Sequence, residues 1–133
     1  MKRKLCIVIA SIVATIFCLC SCNQKNIYIN TEKSFYSNFE VKDGKVYIYC
    51  SLMIDNFTES ERKISLTASF KNDARIGLLK ESVIEGYSID TKTNVFYLRK
   101  GENRLEVVFV GEYAGTNQKY DRLLPDIQIA EVK

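Results

Sequence analysis

Lys45-Val46-Tyr47-Ile48-Tyr49-Cys50-Ser51-Leu52-Met53-Ile54-Asp55 decides the fold class. Val46, Ile48, Cys50, Leu52 and Ile54 fall on one side of an extended chain, and Tyr47, Tyr49, Ser51 and Met53 on the other. Side chains alternate across a strand with a period of two, so this segment reads as a β-strand with one apolar face turned to a core. Just before it stands Asp43-Gly44, two residues that tolerate the positive φ angles of a type I′ hairpin turn. Phe35 to Lys42 is therefore expected to be its antiparallel partner, and Ile27 to Asn30 an added edge strand. Beyond the polar loop Asn56 to Glu61, the residues Ile64, Leu66, Ala68 and Phe70 alternate with Lys63, Ser65, Thr67 and Ser69. That is a half-buried strand with a wet outer face.

The same period continues to the end of the chain. Residues 83–90 and 93–99 read as two strands around Asp90 to Lys92, and Lys100-Gly101-Glu102-Asn103 as the next turn. Leu105, Val107 and Phe109 then share one face, with Glu106, Val108 and Val110 on the other, and Ile127 and Ile129 close the sheet. No helical period is longer than Ala74 to Lys80, and Arg75 to Ser82, with Ile76, Leu78 and Leu79, reads as one helical turn covering the end of the sandwich. Seven or eight antiparallel strands without a long helix predict an all-β domain over residues 27–133. An immunoglobulin-like β-sandwich is the first expectation and a small β-barrel the alternative.

Ahead of the domain lies a different composition. Lys2-Arg3-Lys4 is a basic start, and Leu5 to Leu19 is an uncharged apolar run of signal-peptide type. The run ends in Leu19-Cys20-Ser21-Cys22, which resembles the lipobox of bacterial lipoproteins: aliphatic, tolerant, small, then cysteine. The resemblance implies a diacylglyceryl group on the Cys22 sulfur and cleavage between Ser21 and Cys22. Cys20 and Cys18 do not fit, since Leu19 or Phe17 would then occupy the small position. The organisation expected is a signal peptide over 1–21, a lipidated cysteine and short tether over 22–26, and the domain over 27–133. The alternative is a retained transmembrane helix, because 18 uncharged residues sit at the lower limit for spanning a bilayer. Both place the domain outside the cytoplasm, at a bacterial cell membrane or outer membrane. In layout the whole resembles small immunoglobulin-like lipoproteins, a likeness of architecture and not of activity.

Charge and composition narrow the function. The net charge of +3 belongs entirely to Lys2, Arg3 and Lys4, because no acid precedes Glu32. The part after the leader is neutral, with no electrostatic footprint for nucleic acid. The chain has no histidine and no tryptophan, which removes Ser-His and Cys-His catalysis and most zinc chemistry. No cofactor, metal or enzymatic activity is expected. Cys50, the one cysteine of the domain, reads as a buried hydrophobe, with a reactive thiol as the alternative.

Two features remain as candidate contact surfaces. Gly111 to Pro125 is a long connection that concentrates Tyr113, Lys119, Tyr120, Asp121 and Arg122. It is either a recognition loop, with tyrosines for contact and Arg122 for an acidic group, or an Ω-loop with Leu123 and Leu124 tucked under. Tyr47, Tyr49 and Tyr87 are either an exposed aromatic patch or ordinary cross-strand packing. The expected function is a non-catalytic binding module. It is held to membrane lipid through Cys22 and contacts an envelope or extracellular protein. An immunity or phage-exclusion type of protective lipoprotein is the alternative.

Overall fold

The computed structural model describes residues 26–70, 77–115 and 123–133. The leader, including Ser21 and Cys22, lies outside the described residues, as does the first half of the Ala74–Lys80 segment. Among the described residues the chain is all-β: β1 (Ile27–Lys42), β2 (Lys45–Asn56), β3 (Arg62–Ser69), β4 (Val83–Ser88), β5 (Phe96–Leu98), β6 (Gly101–Glu112) and β7 (Asp126–Glu131). All pairings are antiparallel, and they join the seven strands into one sheet in the order β1-β2-β6-β4-β3-β5, with β7 on β3.

The β2 face set by sequence holds: Val46, Ile48, Cys50, Leu52 and Ile54 have no solvent exposure. They meet Ile64, Leu66 and Ala68 of β3, Phe96 and Leu98 of β5, and Val107 and Phe109 of β6 in one core cluster. Burying one such aliphatic or aromatic side chain contributes about 1.5–3 kcal/mol. The Asp43-Gly44 hairpin is also present, with φ of 53° and 76°. Residues 77–82 contribute a turn and a bridge rather than a helical turn, with Leu78 and Leu79 buried.

The two expected N-terminal strands are a single strand. β1 has 16 residues against 12 in β2, yet their ends pair, Ile27 with Asn56 and Lys42 with Lys45. The four surplus residues are taken up in register shifts between Asn30 and Phe35 and between Tyr36 and Asn38. Each shift flips the face of the strand, so the inward side chains run Ile27, Ile29, then Tyr36, then Phe39, Val41. The alternation is broken twice while the hydrogen-bonded strand continues. Local side chains hold the larger bulge. Asn30 Oδ1 accepts from the Glu32 and Lys33 amides, and Ser34 Oγ accepts from the Met53 amide at 2.9 Å.

The ladder is continuous, where a sandwich would have two separate sheets, and β4 is the reason. Its first residues pair with β3 (Ser69 with Val83, Thr67 with Glu85) and its last with β6 (Glu85 with Val110, Ser88 with Val107). Gly86 sits at this crossing, opposite Phe109. A Cβ there would lie 2.8 Å from Phe109 Cε1, so the ring fills the space that a side chain would need. Gly111 has the same role against Ile84 and Leu79, both 2.7 Å from its would-be Cβ. β4 stops at Ser88, short of the expected residue 90, because a tight turn closes there. The Lys92 amide donates to Ser88 O and the Ser88 amide to Thr93 O, with Lys92 at φ 60°.

Gly86→Ala is expected to cost about 1–3 kcal/mol in urea denaturation, the range for overpacking a filled core. In the Phe109→Leu background the same change should cost less, since the smaller side chain yields. Equal costs in both backgrounds would mean that Gly86 is not constrained by the ring.

Candidate functional site

Four of the five loop residues singled out from sequence, Lys119, Tyr120, Asp121 and Arg122, lie outside the described residues. Tyr113 is described, and it faces inward. Its amide donates to Gly44 O at 3.0 Å, it bridges Leu79, and its side chain packs against the core. The Ala114 amide donates to Leu78 O, so the loop begins strapped to the 77–82 segment. At the other end Leu124 packs against the core, but Leu123 is 67% exposed, so the pair is not tucked under together.

The second candidate is assembled by the register. On the outer face of the sheet, Tyr49 of β2 pairs with Val108 of β6, which pairs in turn with Tyr87 of β4. One row further, Tyr47 stands opposite Val110. These five side chains line a groove of about 400 Å³, with Lys45 and Lys92 at its rim. The sequence offered the outward parity of Tyr47 and Tyr49. Their convergence with Tyr87 needs three strands in register.

Two of the three tyrosine hydroxyls are held. Tyr49 Oη donates to Glu40 Oε1 at 3.0 Å and Tyr87 Oη to Glu85 Oε2 at 3.2 Å, while Asn94 Nδ2 donates to the other Glu85 oxygen. Burial pushes the Tyr49 phenol up first, then the hydrogen bond and charge of Glu40, and then Tyr47. Tyr87 is pushed up by burial, then by the charge and hydrogen bond of Glu85. Both rings are therefore neutral at physiological pH and fixed in orientation. Such a surface presents apolar area at little conformational cost on binding.

Beyond the groove this face carries a polar network. Arg104 Nη1 donates to Lys33 O at 2.6 Å and to Ser51 Oγ at 3.2 Å, and its guanidinium stands 5.7 Å from the centre of the Phe35 ring. Ser51 Oγ donates to Glu106 Oε1, and Lys33 Nζ reaches Glu102 Oε1 at 3.0 Å. This network ties the β1 bulge to β6, and periodicity gave no hint of it. A second groove, about 560 Å³, runs between Arg62, Lys63, Tyr97, Glu131 and Lys133. Its charges oppose one another, with Arg62 Nη1 3.5 Å from Glu131 Oε1. Among the described residues no group of three His, Cys, Asp or Glu side chains is placed to hold a metal.

Cys50 is buried and free, and burial pushes its thiol from 9.0 up to about 12. The thiolate is the reactive form, so native Cys50 should resist thiol reagents at neutral pH and react once the chain unfolds. The raised value also has a sign for stability. Above pH 9 the unfolded thiol loses its proton while the folded one keeps it. The contribution is therefore complete below pH 9 and lost as pH rises toward 12. Urea denaturation midpoints should fall over that range, and Cys50→Val should make the fall shallower. A midpoint fall as steep in Cys50→Val as in the unchanged chain would contradict this.

No protein family, curated protein or solved structure matches the chain.

Proposed function

We propose that the chain is a lipid-anchored, extracytoplasmic binding module that grips another envelope or extracellular protein through the Tyr47–Tyr49–Tyr87 groove. The observation that carries the reading is the groove itself: three tyrosines from β2 and β4 around two valines of β6, with the hydroxyls of Tyr49 and Tyr87 already engaged. The acids nearest those two rings are bonded to them, and the lysines stand at the rim. The partner chemistry that fits is an apolar segment flanked by acidic groups. Anchoring rests on the basic start, the apolar run and the Leu19-Cys20-Ser21-Cys22 sequence, with acylation at Cys22 and cleavage after Ser21. Two acyl chains on one cysteine give stable retention where one does not.

The layered, immunoglobulin-like plan belongs to the same proposal. Its support is that β2 and β3 turn their apolar faces into one shared core. The alternative is a small β-barrel, and the ladder that runs unbroken through β4 is the observation that supports it. A protective role, in which this face blocks a toxin or channel, would use the same contact.

The test is photo-crosslinking in native cells, with a photoreactive residue in place of Lys92 at the rim and, separately, in place of Tyr97, exposed on β5 away from the groove. A discrete crosslinked species is expected from position 92 only. It should vanish when Tyr47, Tyr49 and Tyr87 are all replaced by alanine. The same species from both positions, or its survival in the triple variant, contradicts the assignment.

A further inference from the structure

The described chain begins beside an exposed aromatic pair. Asn26 O accepts a 2.7 Å hydrogen bond from the Phe57 amide, so the point where the chain enters the domain is fixed against the β2–β3 loop. Tyr28 and Phe57 stand there with ring centroids 5.4 Å apart, 43% and 59% exposed. Two large rings packed on each other yet open to solvent are what a soluble surface avoids and a membrane–water interface favours.

Their distance from the anchor is bounded by covalent geometry. Four residue steps separate Cys22 from Asn26, a reach of roughly 13–14 Å when fully extended. If Cys22 carries lipid, the Tyr28–Phe57 pair cannot stand farther than that from the headgroups by much more than a side chain's length. We propose that this pair docks into the lipid–water interface and fixes the orientation of the anchored domain on the membrane. The proposal rests on the lipid-anchor reading above.

The chemistry of this end selects the lipid surface and limits the depth. Arg99 and Lys100, in the turn before Gly101, and Glu59 and Glu61, in the loop after Phe57, are all exposed and offset one another. Gly101 pairs with Asn56, which brings the turn to the same end. Without a net charge, docking depends on the rings and not on anionic lipid. The same four exposed charges would lose their water on deeper insertion, so penetration beyond the headgroup level is opposed. β2 then rises from the membrane end at Asn56 to Lys45. From Asp55 to Tyr47 it spans roughly 26 Å at about 3.3 Å per residue. The tyrosine groove thus stands clear of the bilayer.

The chain has no tryptophan, so Phe57→Trp creates a single interfacial reporter. The full-length protein, made in a lipoprotein-processing bacterium, is reconstituted in phosphatidylcholine vesicles brominated near the glycerol end of the acyl chains. Mass spectrometry of the N-terminal peptide reads the lipid on Cys22 independently. With Cys22 acylated, the emission of the Phe57→Trp variant should shift to the blue and lose most of its intensity to the bromines. Val83→Trp, exposed on β4 opposite the far end of β3, should do neither. Acylated Phe57→Trp protein whose emission is unquenched overturns the docking alone. A peptide without lipid mass overturns the anchor and the docking together. A concentration-dependent blue shift without lipid would make a second copy of this chain the occupant and also overturn it.

Discussion

Between Lys45 and Asn56 the backbone of β2 is paired on both sides, to β6 at every residue and to β1 at every residue but Leu52. The same strand gives one full face to the core, with five side chains removed from solvent. Few segments of a small domain satisfy both demands at once: the backbone is paired on both sides, with the Ser34 hydroxyl taking the Met53 amide at the bulge, and each second side chain has its apolar neighbours. The other elements take their positions from this strand. β1 bends twice to follow it, β6 copies its length, and β4 crosses β6 where Gly86 leaves room for the Phe109 ring.

The outer face of β2 divides by chemistry along its length. Toward Lys45 it offers tyrosines over valines, and toward Asn56 it offers Ser51, the Arg104 network and the buried Asp55. The first half is rigid, apolar and reachable, and the second is engaged in holding the β1 bulge. On the proposed reading, the strand also separates two contacts. A lipid surface lies at the end where the chain enters, and a protein partner lies toward the hairpin end.

What could be read from the sequence was whatever depends on neighbours along the chain. The period-two pattern placed β2 and β3, and Asp43-Gly44 placed the hairpin, because both signals are local. Cys50 was placed in the core by its parity with Ile48 and Leu52, and it is there. β1 reads as two strands because its bulges exchange its faces, and an alternation that reverses looks like an end. The single ladder is not legible in the sequence because β4 divides its pairing between β3 and β6, and nothing local in Glu85-Gly86-Tyr87 marks the crossing. Tyr113 looked like a contact residue by composition, but its register beyond Gly111 turns it toward the core. The tyrosine groove was visible only as three outward residues, since the pairing that unites them crosses strands far apart in sequence.

Native-state hydrogen exchange resolved by residue tests this hierarchy most directly. If β2 is the element on which the rest is built, its amides from Val46 to Ile54 should be the slowest to exchange, opening only with global unfolding. The β7 amides, at an edge of the sheet, should exchange through smaller openings. β2 amides that exchange as fast as those of β7 would contradict the account.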